Sequence, residues 1–420
     1  MTTSKLAQPV AALTDAAEPR PESMLHSVRL YPAFRLLLLG TLATNSAFWM
    51  YQVAVGWLAL EMTDSPFFVG LSGFVSGIPL LVLSLPAGVL IDRFDGRIVL
   101  LAAQVGVMLV SALFAVLVGI DAIEPWSMLV LVAAYGCAMS FVFPSRTTIV
   151  PSLVERADLT NAIALNSATQ NVTRVVGPSM AGVLIAVMGV GGTFAVAAAL
   201  QIAALYTTFH LPRSEPDRAA KGKMDLSSLT VGFRIVASDR FLTALILLAL
   251  APTVLVMPYI NLMPVFARDE MGLGSTGLGL LLAAVGLGSV AGALSVARSD
   301  RLRKWPNAQV ATALVFSAAI LVFAITPVVG LAMVLLFASG WTSAAYLALN
   351  QTVLQLHVDD EVRGRVISVY LLTWGMLPIG QLAVGALANF TSTPLAVVAS
   401  CVLSVILVVA IAKRSPALVK

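Results

Sequence analysis

The chain has 420 residues, 59% of them hydrophobic and 11% charged, with a formal net charge of +4. Soluble domains carry about 25% charged residues, so this balance excludes an ordinary water-soluble fold. Apolar runs of roughly 20 residues, each able to cross a hydrocarbon core of about 30 Å, recur from end to end, and the basic residues are too scattered to form a nucleic-acid footprint.

Residues 1–30, rich in Ala, Pro, Thr and Glu, read as a disordered cytoplasmic tail. They lack the basic start and apolar stretch of a signal peptide. Spans are expected at 33–61, 66–91, 97–120, 125–150, 160–188, 191–211, 241–267, 274–297, 307–326, 328–354, 362–388 and 392–412. Only helices satisfy every backbone polar group of such runs in lipid, so the expectation is twelve transmembrane helices. With the N-terminus in the cytoplasm, 23 of the 25 Lys and Arg fall on cytoplasmic segments; Arg268 alone lies in an outer loop and Arg174 alone inside a span. The positive-inside rule then places both termini in the cytoplasm. Outer loops are short and mildly acidic, with Glu61, Asp64, Asp121, Glu124, Asp269 and Glu270.

The polar segment 212–240 separates two six-helix halves, 31–211 and 241–420. Its end, 226–240, reads either as an amphipathic helix on the inner surface or as a plain linker. The halves repeat at an offset near 204: Gly70 and Gly88 match Gly274 and Gly292, Gly177 and Gly182 match Gly380 and Gly385, and Thr148 matches Thr352. Paired repeats are the plan of many secondary transporters. Cys137 and Cys401 lie in apolar runs and imply no disulfide framework.

The loop after the second span reads Gly88-x-Leu90-x-Asp92-Arg93, then Gly96-Arg97. Gly88 admits close helix approach, Asp92 caps a helix or pairs with a base, and Arg93 and Arg97 anchor at headgroups. By itself this is either a gate or a tight turn. The pattern resembles the hallmark loop of the major facilitator superfamily, with one extra residue before Gly96. The resemblance implies a cytoplasmic gate of Gly88, Asp92, Arg93 and Arg97, joined on the same side by Arg146, Arg363 and Arg365. In the fifth span, Gly177-Pro178 and Gly182 resemble the end of the exporter-type motif, although Ala181 stands where Gly is usual. They read as a helix-flexing point or as small-residue packing. The first span from Asn45 to Trp57, the Thr63-Asp64-Ser65 turn, Pro144 to Arg146, Gly232 to Arg234 and Glu361 to Ser368 are similar to the transmembrane secretion effectors, the branch holding enterobactin and macrolide exporters. The likeness runs over about residues 30–412.

The superfamily fold implies that helices one, four, seven and ten line a central cavity. The candidates there are Asn45, Trp49, Gln52, Tyr135, Ser140, Tyr259, Asn261, Trp341, Tyr346 and Asn350, with Gln170 and Arg174 from the fifth span and Trp374 and Gln381 from the eleventh. Each amide alone reads equally as an interhelical hydrogen bond. Arg174 either faces the cavity and attracts anionic or electron-rich groups, or it snorkels to the surface or bonds carbonyls freed by Pro178. No Asp or Glu lies within a span, which favours neutral, anionic or zwitterionic substrates over permanent cations. His26, His210 and His357 are scattered, and the sequence shows no phosphate-binding loop or Cys/His cluster, so it speaks against an enzyme, an ATP-driven pump and a metal centre, and no cofactor is expected.

The expectation is an all-α membrane protein of two pseudo-symmetric halves, a monomer in the bacterial inner membrane. It would export small organic molecules by alternating access, with protons as the coupling ion that the resemblance implies. A siderophore is the alternative cargo, and a non-transporting receptor or scaffold is the alternative from another class.

Overall fold

Prolines and short capping side chains decide where the helices begin. A computed structural model describes residues 26–212, 226–299, 305 and 307–415. The N-terminal part holds α1 (His26–Leu30), α2 (Pro32–Thr63), α3 (Pro66–Arg93), α4 (Gly96–Gly119), α5 (Pro125–Ile149) and α6 (Leu159–Phe209). Pro32, Pro66 and Pro125 each occupy a first helical position, where an N–H would have no partner anyway. Ser65 and Asp95 accept the N–H groups of Phe68 and Arg97 and so cap α3 and α4. The expected spans 160–188 and 191–211 join as α6, interrupted only at Gly189 (φ 73°, ψ 178°), a backbone region essentially confined to glycine.

The C-terminal part holds α7 (Leu226–Ser238), α8 (Arg240–Leu255), α9 (Met263–Val265), α10 (Gly274–Arg298), α11 (Ala308–Ala324), α12 (Val329–His357), α13 (Asp360–Gly375), α14 (Leu377–Phe390) and α15 (Thr393–Arg414). Two expected spans differ. The run 241–267 stops at Leu255 and continues through a 3-10 turn at Met257–Ile260, α9 and a π-helical turn at Phe266–Glu270. Pro252, Pro258 and Pro264 remove donors and crowd the preceding turns. The run 362–388 divides at Met376, beside Pro378, which has no N–H to give to the turn before it.

The two segments expected as a tail and as a linker or amphipathic helix both contain helix. Residues 26–30 are helical, and the hydroxyls of Ser27 and Tyr31 donate to Asn161 (2.7 Å) and Asp158 (2.9 Å); residues 1–25 of the expected tail lie outside the described residues. α7 packs on α13: a Cβ on Gly232 would stand 2.6 Å from the Arg365 carbonyl, and Val236 joins Leu354, Val366 and Val369 in a small core.

Glycines build the seams between the two parts. A Cβ on Gly385 would lie 2.9 Å from Gly70 Cα and 3.0 Å from the Pro66 carbonyl, joining α14 to α3. A Cβ on Gly182 would lie 2.5 Å from Gly279 Cα and 2.6 Å from the Ser275 carbonyl, joining α6 to α10. Such contacts let backbones touch where lipid offers no hydrophobic drive for association. The described residues are helical without strands, and nine of their helices are long and apolar enough to cross a membrane.

Candidate functional site

A cavity of about 360 Å³ lies between the two parts. α2 gives Asn45, Phe48, Trp49 and Gln52; α3 gives Gly73, Ser76, Gly77 and Leu80; α5 gives Tyr135, Gly136, Met139 and Phe143. α6 gives Gln170 and Arg174, and the far wall is Trp374, Gly375, Leu377, Pro378 and Gln381. Helical spacing explains the near wall, because Asn45, Trp49 and Gln52 share one face of α2, and Gln170 and Arg174 lie on successive turns of α6. The Arg174 guanidinium sits over the Trp49 ring at 5.9 Å, a cation–π arrangement. Gly177 permits it: a Cβ there would come within 2.6 Å of Trp49 Cβ. The Ser76 hydroxyl donates to Gln52 Oε1 at 3.5 Å. Tyr135 stacks flat on Tyr51 with centroids 3.5 Å apart, and Tyr51 meets Phe114 and Phe194 edge-on, which backs the cavity with a stiff aromatic cluster.

Thus eight of the expected residues share this cavity: Asn45, Trp49, Gln52, Tyr135, Gln170, Arg174, Trp374 and Gln381. Six do not line it. Ser140 is fully buried and donates to the Gly136 carbonyl (2.8 Å). Tyr346 donates to the carbonyls of Ala249 (2.8 Å) and Leu248 (3.3 Å); Leu248 stands four residues before Pro252, so its carbonyl lacks the usual helical donor. Asn350 donates to the Leu245 carbonyl (3.2 Å), and Tyr259 bonds with Ser339 (3.2 Å) among Phe316 and Phe323. Asn261 donates to the Val69 carbonyl (2.7 Å). Trp341 donates to the Ser295 hydroxyl (3.0 Å) and faces a separate depression that includes Arg298. Helix-level reasoning also missed the α3 contribution. Its signal is the Gly73 and Gly77 spacing, where a Cβ would meet the Gln381 side chain at 2.7 Å and Pro378 at 2.3 Å.

The expected gate residues that the structure describes make different contacts. The side chains of Asp92 and Arg93 lie outside the described residues. Gly88 makes no close approach, since a Cβ there would meet nothing within 4 Å. Arg97 donates to the Phe209 carbonyl and lies over the Phe209 ring, so it closes the end of α6. Arg363 donates to Val358 (3.4 Å) in its own part of the chain, and Arg365 is exposed. Arg146 is buried, at 5% exposure, and donates to the hydroxyls of Thr41 (3.0 Å) and Thr44 (2.8 Å). Gln104 also donates to Thr44, and Thr41 donates to Asn166. α6 keeps helical φ/ψ through Gly177, Pro178 and Gly182, and leaves them only at Gly189.

The firmest polar link between the two parts was not expected. Arg268 bonds Asp64 (2.7 Å), its neighbour Asp269 (2.6 Å) and the Leu60 carbonyl (3.2 Å). Ser65 donates to Asn389 (3.1 Å) at the same end. These contacts stand beyond the seam of Gly70 and Gly385, while the cavity lies on its other side, at residues 73–80 and 374–381. In the sequence, Arg268 is marked only as the basic residue of an outer loop.

A family profile described as transmembrane secretion effector matches residues 27–418. The chain is 25% identical to the staphyloferrin A transporter of Staphylococcus aureus, over 81% of this chain and 86% of that protein. It is 27% identical to the multidrug efflux pump Tap of Mycolicibacterium fortuitum (84% and 88% covered) and 29% identical to the enterobactin exporter EntS of Citrobacter koseri (81% and 82%). Its fold matches a bacterial homologue of the human lysosomal transporter Spinster, in an inward-facing and unoccupied conformation, with a TM-score of 0.72 at 16% identity over 92% of this chain and 98% of that one.

Proposed function

Because the chain belongs to the transmembrane secretion effector family of the major facilitator superfamily, we propose that it exports small organic molecules across the bacterial inner membrane by alternating access, with the central cavity as the substrate site. The observation that carries this reading is the placement of the cavity between two glycine-seamed parts, closed at one end by Arg268 and Asp64. Cargo is neutral, anionic or zwitterionic, since among the described residues no carboxylate lines the cavity to pair an organic cation. The named cargo of two relatives favours a siderophore as one such substrate.

Twelve crossings, in two six-helix halves with both termini cytoplasmic, accommodate the helices. To the nine candidates are added the second leg of α6 beyond Gly189, the more polar α2 and the shorter α11. The Arg268 end is then the outer face, and the protein works as a monomer driven by the proton gradient.

Everted vesicles containing the protein, with Cys137 and Cys401 replaced, test the reading. A panel of neutral, anionic and cationic dyes should be taken up unequally, the anionic and neutral members first, and a protonophore should stop uptake. A disulfide between Asp64→Cys and Arg268→Cys should stop transport until reduced. Transport indifferent to that crosslink would sink alternating access, and preferential uptake of ethidium would sink the cargo assignment.

A further inference from the structure

The two walls of the cavity are repeat mates with different chemistry. In these two helices Gly177 and Gly182 match Gly380 and Gly385, 203 residues on, so Arg174 matches Leu377, and both line the cavity. One wall therefore carries a cation where its mate carries a leucine. Arg174 stands about 22 Å along α6 from Leu159, at roughly 1.5 Å per residue, well inside a span.

Its surroundings differ from those of Arg146 and Arg268. Arg146 is held by two threonine hydroxyls, and Arg268 by carboxylates. Among the described residues Arg174 forms no ion pair; its recorded contact is the face of Trp49. A snorkelling arginine would carry its guanidinium along the helix to the rim, whereas Trp49 holds this one at the cavity wall. An arginine presents five N–H donors, and the ring face engages the cation without accepting them in the plane. Arg174 is exposed, so these donors are open to water or to a ligand in the cavity. The facing wall of Trp374, Leu377 and Pro378 offers apolar surface and no charge.

We infer that the cavity takes an amphipathic organic anion, with its carboxylate on the Arg174 guanidinium and its aromatic or apolar body against Trp374 and Pro378. This assignment rests on the cavity being the substrate site and adds the class of ligand and its orientation. A volume of about 360 Å³ suits one drug-sized molecule.

Binding to the purified full-length protein in nanodiscs, measured by calorimetry with three probes sharing one ring, tests it. The probes are 1-naphthaleneacetate, its methyl ester and 1-naphthylmethylamine. The acid should bind about tenfold more tightly than the ester or the amine, the scale of one hydrogen bond to a charged group. Arg174→Gln should lower the acid to the affinity of the ester and leave the ester unchanged. Trp374→Ala should weaken acid and ester alike. An amine as tight as the acid, an acid preference that survives Arg174→Gln, binding of none of the three, or indifference of acid and ester to Trp374→Ala overturns the assignment. The reading as an exporter fails separately: Arg174-dependent binding without uptake in everted vesicles would remove transport and keep the anion site, while uptake with no acid preference would do the reverse.

Discussion

Arg146 of α5 reaches Thr41 of α2, and Asn350 of α12 reaches the backbone of Leu245 in α8. The partners are 105 residues apart in each case, and both members of the second pair lie 204 residues after those of the first. The same helix–helix contact is made twice, with a guanidinium between hydroxyls in one part and an amide on a carbonyl in the other. The reason lies in the two first helices. α2 stays regular for 32 residues and offers its partners side chains. α8 contains Pro252, which leaves the Leu248 carbonyl without its helical donor, and Tyr346 of α12 turns to it and to the Ala249 carbonyl beside it. Hence the residues 204 after Asn45, Trp49 and Gln52, namely Ala249, Thr253 and Val256, are all about 1% exposed, and the polar face of the cavity belongs to the N-terminal part.

Exchanging the chemistry of this repeated contact should have the largest effect. Asn350→Arg would face Leu245 and Leu248 where Arg146 faces Thr41 and Thr44, and an uncompensated buried charge costs about 3–5 kcal/mol. The thermal midpoint in detergent should fall steeply or folded protein should be lost. Adding Leu245→Thr and Leu248→Thr should recover much of it; no recovery would mean that the two contacts are not equivalent.

A smaller effect is expected where the two parts meet. Arg268 and Asp64 are themselves 204 residues apart, so the link joins a position to its own repeat mate, as contacts on a two-fold axis do. Asp64 is largely exposed, which limits such a pair to about 0.2–1 kcal/mol. Asp64→Asn should therefore raise labelling of a Gln381→Cys reporter by an impermeant maleimide from the outer side by no more than about fivefold. Reversing both charges should restore the original rate.

The smallest effect is expected at Gly88. It has open space where Gly70 and Gly385 touch, so Gly88→Ala should stabilise α3 by up to about 1 kcal/mol through its helical propensity, with transport unchanged. Transport lost with stability retained would show that Gly88 packs closely in a second state.

The membrane class, most helix positions and the family were legible in the sequence, because runs of apolar residues and a short loop pattern are local properties. Eight cavity residues were legible for the same reason, lying at helical spacing on faces that the family fold turns inward. Tyr346, Asn350 and Asn261 were not, because their partners are backbone carbonyls of other helices, which leave no mark in composition. Arg146 had the charge expected of an inner rim, yet its side chain folds back into the bundle onto Thr41 and Thr44, a distance that only packing sets.

By itself, the sequence determined that the chain is a bundle of long apolar helices of the major facilitator type, with Arg174 as an exception to its charge pattern. The tertiary structure alone decided that Arg174 faces a cavity over Trp49, that Trp374, Leu377 and Pro378 form the wall across from it, and that Arg268 bridges the two parts. Hydropathy and helical period act within a few turns of one chain segment, whereas these contacts join residues about 125–210 apart along the chain, and only helix packing brings them within reach.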